Sequence, residues 1–286
     1  MKKFISNLFI FFIIVFLFNV VVFEFANDNY YKGYKEVPSK KFHSLLMADS
    51  HGLPLNKLLE KHNTYNFSAS SESYLDIKRK ILYLIENKYE ITRIYITVDR
   101  YSLSPYRDTN NNEDKSIIFS TGNNFHDLKE RFLKYYFPIF QSKINPVLKM
   151  YLKARLKGIL IKDINKKTAK LWSKLPESEQ IKWSEVRVRG QFSSKNKSLN
   201  LEKTLLEIIN LCKTNGIELI GIKFPVSHTY LKIVGHRNYG ADQLFISNGL
   251  KVIDSESIFI NNDEYFGDQD HLNKKGGEAF VKELLK

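Results

Sequence analysis

The sequence lacks three features that mark specialised classes of protein: paired cysteines, an internal repeat and a concentrated basic tract. It has 286 residues and a single cysteine, Cys212, so an internal disulfide framework is excluded. One cysteine does not decide the compartment, because a domain of this size can bury a sufficient core without cross-links. Cys212 follows apolar residues with helical spacing, which predicts a small buried side chain. The 43% hydrophobic and 26% charged residues are typical of a globular protein.

A long apolar run follows the two lysines at the N-terminus. From Phe4 to Phe25 it has about 22 residues, and a helix of that length spans about 33 Å, enough to cross a bilayer. The lysines before the run, with no basic residue after it until Lys32, favour a cytoplasmic N-terminus. A cleaved signal peptide is the alternative, although residues 23–26 fit a small-x-small cleavage site poorly. We expect residues 1–26 to be a single-pass anchor in the cytoplasmic membrane, with the body extracytoplasmic, in the periplasm or at the cell surface.

The chain is strongly basic, with 44 lysine and arginine residues against 31 acidic ones and a formal net charge of +13. Such a charge attracts anionic envelope polymers or lipid headgroups, although a lysine-rich solvated surface has the same composition. The lysines are spread along the chain. We expect no nucleic-acid partner for a body outside the membrane.

Short apolar runs alternate with helical patterns after the N-terminal segment. The predicted strands are residues 42–48, 64–67, 91–98, 217–224 and 250–253, and the predicted helices are 53–61, 74–86 and 277–285. This alternation predicts an α/β fold with a mostly parallel sheet, in which sites form at the carboxyl ends of the strands.

Two stretches fall outside this alternation. Residues 27–40 are predicted to be a tether, and residues 41–286 to be one α/β domain. Residues 102 to about 200 interrupt the pattern and are predicted to be a largely helical insertion above the strand ends. The insertion could shape a substrate groove, or it could be a lid that only buries apolar surface.

Two short motifs near the ends of the chain carry the groups of an acyl-transfer triad. The first, Asp49-Ser50-His51-Gly52, places a serine at the end of a predicted strand; in the second, Asp268 stands three residues before His271. A serine hydroxyl is a weak nucleophile until a base takes its proton. His271 is the candidate base, and Asp268 would orient it and stabilise its charged form. Taken singly, Ser50 could be a helix N-cap and His271 a surface histidine.

These two motifs resemble the nucleophile block and the terminal Asp-x-x-His block of the SGNH (GDSL-type) hydrolase superfamily. The resemblance implies a flavodoxin-like three-layer α/β/α fold, with Ser50 as nucleophile, its backbone N–H in the oxyanion hole, and Asp268 and His271 completing the triad. Residues 66–71 resemble the second block of the family. Ser71 stands where the family usually has glycine, and its backbone N–H would still serve as an oxyanion donor.

The third block departs from the family, which usually places an asparagine after the middle strand as an oxyanion donor. Here Asp99 and Arg100 follow that strand. An ionised Asp99 cannot donate a hydrogen bond, whereas Arg100 could. The loss of one oxyanion donor can cost about 100-fold to 1000-fold in rate. His51, next to the nucleophile, is a candidate substrate contact.

No metal or other cofactor is expected. The spacing of Asp49, Asp268, Asp270 and His271 matches no metal signature. We interpret Asp270 as a loop residue.

The sequence predicts a membrane-anchored serine esterase or O-acyltransferase, with acetyl the expected acyl group. Family members with this layout often act on surface polysaccharides, so the expected partner is a cell-envelope glycan or another ester substrate and, for acyl transfer, a membrane acyl-donor protein. The alternative is a catalytically inactive fold that binds glycan or scaffolds an assembly.

Overall fold

The computed structural model describes residues 2–122, 125–141, 143–156 and 171–285. The chain separates into two compact units. The helical unit comprises residues 1–36 and 114–169, and the sheet unit comprises residues 37–113 and 170–286.

The sheet unit contains a five-stranded parallel sheet. Its strands are β1 (Ser44–Met47), β2 (Thr64–Asn66), β3 (Arg93–Thr97), β4 (Glu218–Lys223) and β5 (Val252–Asp254). They pair in the order β2-β1-β3-β4-β5, and every pairing is parallel. This is the doubly wound order of flavodoxin-like folds, so the predicted fold class is confirmed. All five strands overlap the predicted ranges, although β5 begins two residues later and ends one residue later than the predicted 250–253.

The described part of the chain contains α-helices of very different lengths. They are α1 (Lys2–Asn29), α2 (Tyr74–Glu86), α3 (Pro105–Thr109), α4 (Glu113–Ser116), α5 (Phe125–Arg131), α6 (Ile144–Leu156), α7 (Glu177–Gln191), α8 (Leu199–Thr214), α9 (His228–Val234), α10 (Ala241–Ser247) and α11 (Lys274–Leu284). Short 3₁₀ turns cover Ser50–Leu55, Leu59–His62, Ile117–Phe119, Pro138–Phe140, Trp172–Lys174 and Asp263–Tyr265, and a π-turn covers Phe132–Tyr136.

Local capping explains where two of these helices begin. The backbone N–H of Ser73 donates to Asp76 Oδ2 at 2.9 Å, in a capping box that starts α2 at its predicted position. Ser198 Oγ accepts from the backbone N–H of Leu201 at 3.1 Å and starts α8. Cys212 lies on α8 and is buried, as its helical spacing predicts.

The predicted helix over 53–61 is wrong. The chain forms two separate 3₁₀ turns there, Ser50–Leu55 and Leu59–His62. Pro54 lies inside the first turn and has no N–H to continue a helical ladder. Lys57 has a φ of 61°, which ends the regular backbone between the turns.

The predicted insertion at 102–200 does not coincide with either of the two compact units. Residues 102–113 and the segment after 170 belong to the sheet unit. Trp172 is 1% exposed and packs in one apolar cluster with Phe224 and Phe280. Ser104 Oγ donates to the carbonyl oxygen of Gln191 at 2.5 Å. Core packing, which the local sequence pattern does not record, therefore assigns both flanks to the sheet unit, and the position of the insertion over the strand ends stays a prediction.

The helical unit is organised around α1. This helix is long and apolar enough to cross a membrane, as an anchor or as a signal sequence. Val22 and Ala26 on α1 are buried in a cluster with Tyr31 and Ile144. The predicted tether therefore begins as part of this unit, because α1 continues to Asn29 and Tyr31 is fully buried.

Candidate active site

The candidate nucleophile lies at the carboxyl end of β1. Ser50 is the first residue of the 3₁₀ turn that follows this strand, and it is half-buried. Asp49 accepts from the backbone N–H of His51 at 3.0 Å and fixes the start of the turn. β2 lies on one side of β1 and β3 on the other, so Ser50 occupies the switch point where ligands bind in doubly wound sheets.

The structure brings the three predicted triad residues together. His271 Nε2 is 2.8 Å from Ser50 Oγ, and His271 Nδ1 is 2.8 Å and 2.9 Å from the two carboxylate oxygens of Asp268. Asp268 Oδ1 also accepts from the backbone N–H of His271 at 2.9 Å. A carboxylate on Nδ1 keeps the proton there and leaves Nε2 free to accept the serine proton.

A short closed loop holds Asp268 and His271 in place. Phe266 and Leu272 face each other in an antiparallel bridge, and Gly267 N–H donates to the carbonyl oxygen of His271 at 2.8 Å. Asn273 caps α11 by accepting from the backbone N–H of Gly276 at 3.0 Å. These bonds therefore fix residues 266–273 and hold the imidazole of His271 in position.

Glycines allow the elements around the site to approach one another. A Cβ at Gly52 would collide with Ser68, which follows β2, and a Cβ at Gly276 would collide with the backbone of Tyr265. A Cβ at Gly277 would lie 2.5 Å from the carbonyl oxygen of Pro54, in the turn that carries Ser50. The contact between α11 and the Ser50 turn therefore requires glycine at 277.

The electrostatic surroundings of His271 favour its charged form. Burial alone lowers the pKa of His271, but the Asp270 carboxylate and the hydrogen bond to Asp268 outweigh burial and raise the pKa to about 9. Asp270 Oδ1 lies 3.3 Å from His271 Nδ1. The imidazole thus faces two carboxylates, and its neutral, base-competent form dominates only above about pH 9.

Asp270 is a site residue that the sequence interpretation missed. It is fully buried; its Oδ2 accepts from Arg187 Nε at 2.7 Å and from Gln191 Nε2 at 3.0 Å. Burial alone raises the pKa of Asp270, but His271, His51 and Arg187 hold it well below its usual range. The only local signal was the Asp-x-Asp spacing before His271, because the partners on α7 are about 80 residues away in sequence.

His51, predicted as a substrate contact, is instead buried beside the triad. It is 2% exposed. Its Nδ1 lies 3.0 Å from Asp99 Oδ2 and 3.0 Å from the hydroxyl oxygen of Tyr101. The Tyr101 hydroxyl in turn donates to Asp49 Oδ2 at 2.6 Å. Burial alone lowers the pKa of His51, but the Asp49, Asp270 and Asp99 carboxylates raise it well above its ordinary value. These carboxylates favour the charged form of His51, whose ring centroid lies 4.8 Å from that of His271.

The Asp99 side chain, at the position where the family has its asparagine, contacts other residues of the sheet unit. Its Oδ1 accepts from the backbone N–H of Phe224 at 2.8 Å, and its Oδ2 accepts from Thr97 Oγ1 at 3.0 Å and faces His51 Nδ1. These bonds join β3 to the end of β4. Asp99 therefore stabilises the carboxyl ends of β3 and β4 below the site. As a hydrogen-bond acceptor it cannot donate to substrate.

The guanidinium of Arg100 is hydrogen-bonded to other residues of the sheet unit. Its Nε donates to Glu256 Oε1 at 2.7 Å, and its NH1 donates to the carbonyl oxygen of Gly235 at 2.6 Å. NH2 lies 2.5 Å from Glu256 Oε2. All three guanidinium nitrogens are thus engaged, and the predicted role of Arg100 as a donor to substrate has no support in this geometry.

Ser71 has the backbone conformation of the glycine that it replaces in the family pattern. Its φ is 66°, in the left-handed region that favours glycine. The loop before it lies against the end of β1, where Ala69 N–H donates to the Ala48 carbonyl oxygen at 3.2 Å and Ala48 N–H donates to Ser68 Oγ at 3.0 Å. This loop therefore brings the Ser71 backbone to the same sheet edge as Ser50.

Three residues of the site could in principle hold a metal ion. Ligand atoms of His51, Asp270 and His271 lie within 4.8 Å of one another. The Asp270 carboxylate is already neutralised by Arg187, and a divalent cation would lie next to that guanidinium. We assign no metal to this cluster.

No family model and no curated protein matches the chain. Among solved structures, it is similar to a candidate acylhydrolase from Bacteroides fragilis, with a TM-score of 0.39, 9% identity and coverage of 89% of both chains. It is also similar to a GDSL-like lipase from Bacteroides thetaiotaomicron, with a TM-score of 0.39, 10% identity and coverage of 89% of this chain and 98% of the other. At these values neither likeness bears on activity, and the roles of the residues depend on the triad geometry alone.

Proposed function

We propose that the chain is an SGNH-type serine esterase or O-acyltransferase that works through an acyl-serine intermediate. The observation that carries this proposal is the continuous hydrogen-bonded relay from Ser50 Oγ through His271 to Asp268, with both links at 2.8 Å. A serine, an imidazole and a carboxylate in this geometry form the activated nucleophile of acyl transfer.

The reaction would proceed in two steps, acylation of Ser50 and then its deacylation. Ser50 Oγ attacks the ester carbonyl carbon while His271 Nε2 takes the hydroxyl proton, and the carbonyl oxygen becomes an oxyanion. The backbone N–H groups of Ser50 and Ser71 would hold that oxyanion. When the tetrahedral intermediate collapses, the bond to the leaving alkoxide breaks and His271 returns the proton to it. Ser50 then carries the acyl group.

The second half would decide between hydrolysis and transfer. Water or an acceptor hydroxyl attacks the acyl carbon, and His271 takes its proton. The bond to Ser50 Oγ then breaks, the serine recovers its proton, and an acid or a new ester leaves. Because both outcomes share the acyl-serine intermediate, the triad serves either one.

The proposed substrate is an O-acylated, and specifically O-acetylated, cell-envelope glycan. Two features support it: the apolar helix α1, which as an anchor would place the sheet unit outside the cytoplasmic membrane, and the net charge of +13, which favours anionic polymers. A membrane acyl-donor protein would supply the acyl group if the reaction is transfer.

One observation favours a second candidate, a catalytically inactive glycan-binding or scaffold protein. Asp99 and Arg100 follow β3 where the family pattern has an asparagine, and the contacts of both side chains are with other residues of the sheet unit. An oxyanion would then depend on backbone donors alone, and the missing donor can cost about 100-fold to 1000-fold in rate.

The test is ester hydrolysis by the full-length protein in detergent, with 4-nitrophenyl acetate and with an O-acetylated envelope glycan. We expect the wild type to release acetate and Ser50→Ala to abolish this release. The control is Ser247→Ala, a change at an exposed serine of α10, which should leave acetate release intact. Binding of the glycan without acetate release by folded wild-type protein would favour the inactive alternative.

A further inference from the structure

The helical unit exposes large apolar side chains outside α1. Phe125 is 82% exposed, Phe132 53%, Tyr136 52% and Leu152 49%. Basic residues stand between them along the chain, namely Lys129, Arg131, Lys134, Lys143 and Lys149, and Lys153 follows Leu152. Aromatic and basic residues together are typical of segments at a membrane surface.

Asn19 connects this segment to α1. It is 4% exposed, although the residues around it on α1 are apolar. Its Nδ2 donates to the carbonyl oxygen of Tyr136 at 3.0 Å, and its Oδ1 accepts from the backbone N–H of Ile139 at 3.5 Å. Both partners lie in residues 132–140, which form a π-turn and a 3₁₀ turn; we call this stretch the aromatic turn. The Asn19 amide therefore satisfies two backbone groups that no regular helix pairs.

The aromatic turn also packs against the last turns of α1. The ring of Phe23 lies 5.5 Å from that of Tyr135 and 6.3 Å from that of Tyr136. Beyond α1, the hydroxyl of Tyr31 donates to the carbonyl oxygen of Lys134 at 2.9 Å. The packing thus runs from Asn19 to Tyr31, and it would be lost if α1 were removed.

The position of Asn19 along α1 sets the depth of the aromatic turn. The hydrocarbon core of a bilayer is about 30 Å thick and takes about 20 helical residues, so a span that starts at Phe4 ends near Phe23. Asn19 then lies about 6 Å inside the hydrocarbon boundary. Non-helical backbone at that depth is tolerated only where protein satisfies it, and Asn19 does so for Tyr136 and Ile139.

We propose that the aromatic turn is a second membrane element, which enters the outer leaflet of the lipid bilayer beside a retained α1 and is fastened there by Asn19. Phe132, Leu133 and Tyr136 face the lipid, and the neighbouring basic residues lie among anionic headgroups. The inference depends on the proposed membrane location of the chain and is independent of the esterase chemistry.

The test measures the depth of the aromatic turn in the full-length protein. The protein is placed in nanodiscs of phosphatidylethanolamine and phosphatidylglycerol, with Cys212→Ala as background and an environment-sensitive fluorophore on Phe132→Cys. The control carries the fluorophore on Ile246→Cys, an apolar position of α10 that is 63% exposed. We expect doxyl lipids to quench the label at position 132 at least threefold more strongly than the label at 246, and Leu133→Cys to repeat the result of Phe132→Cys.

A second pair of variants tests the role of Asn19. Asn19→Leu keeps α1 apolar and removes both hydrogen bonds, so we expect lipid quenching at position 132 to fall by about half or more. Asn7→Leu, the same change at an exposed position of α1, should leave it unchanged. Unchanged quenching in Asn19→Leu would overturn the fastening role.

Three results would overturn the proposal as a whole. The first is a label at position 132 that reacts with water-soluble reagents as fast as one at 246. The second is protection from those reagents without lipid quenching, because another protein or a second copy would then cover the turn. The third is an intact mass that lacks α1. Each leaves Ser50 and its chemistry unaffected, so failure here is distinguishable from failure of the proposed esterase.

Discussion

The two units of the chain can be compared at two places, the charge network around Ser50 in the sheet unit and the aromatic turn beside Asn19 in the helical unit. The sheet unit buries a network of charges around Ser50, with His51 at 2% and Asp270 at 0% exposure. The helical unit buries the Asn19 amide and leaves Phe132 and Tyr136 more than half exposed. Burial of charge is costly and is sustained only by close partners, which is common at sites built for chemistry. Exposed aromatic surface is costly in water and favourable in a bilayer.

This contrast predicts that the functions of the two units can be separated by mutation. Changes in the charge network should alter the reactivity of Ser50 and leave lipid contact unchanged. Changes on α1 should do the reverse.

The largest effect is expected from His271→Ala, which removes the base 2.8 Å from Ser50 Oγ. Loss of the base should lower the ester hydrolysis rate by about 10⁴-fold or more. The lipid quenching measured at position 132 should not change. Activity that survives His271→Ala in folded protein would break the assignment of the triad.

The next effect is expected from Asp270→Asn and concerns pH. The catalytic base must be neutral, and the raised pKa of His271, about 9, means that the rate of the wild type rises with pH through about 9. Removal of the Asp270 charge should lower the pKa of His271, so the rate should level off about one pH unit or more lower. The rate is measured from pH 6 to 10.

The control for this pH profile is Asp28→Asn, the same charge change at an exposed residue of α1. It should leave the profile of the wild type in place. Identical profiles for Asp270→Asn and wild type would show that Asp270 does not set the pKa of the base.

A smaller effect, on stability, is expected from Gly277→Ala. The added Cβ would lie 2.5 Å from the Pro54 carbonyl oxygen and force α11 away from the Ser50 turn. We expect a loss of about 1–3 kcal/mol in the free energy of unfolding, together with lower activity. Chemical denaturation of the sheet unit in the full-length protein measures it.

Gly190→Ala is the matched change within α7, where an added Cβ meets no atom within 4 Å. It should be neutral or stabilising by up to about 1 kcal/mol. Equal effects of the two substitutions would contradict a specific role for close packing at Gly277.

The smallest effect on the enzyme is expected from Asn19→Leu. Because Asn19 belongs to the helical unit, the ester hydrolysis rate should stay within about twofold of the wild type while lipid quenching at position 132 falls. A large loss of hydrolysis in this variant would show that the functions of the two units are coupled.

The sequence was sufficient to predict the strands and the proximity of Ser50, His271 and Asp268, for a physical reason. Buried parallel strands read as continuous β-branched runs, as at 91–98, and the motifs of Ser50 and His271 are each local. The prediction that the two motifs meet in one site depends only on the rule that sites form at the carboxyl ends of parallel strands.

The buried network could not be read from the sequence, because its contacts join residues far apart. Asp270 meets Arg187, and the Arg100 guanidinium meets Glu256, 156 residues away. A carboxylate in a loop has the same local pattern whether it is solvated or buried. For the same reason the sequence does not show that Trp172 packs in the sheet unit, which only the folded core reveals.

The most direct test of the account is reaction of the full-length protein in nanodiscs with a fluorophosphonate probe, followed by peptide mass spectrometry. We expect a covalent adduct on Ser50 in the wild type and in Ser247→Ala, and none in His271→Ala. A well-folded wild-type protein that forms no adduct, or an adduct that persists in Ser50→Ala, would contradict the central claim that His271 activates Ser50.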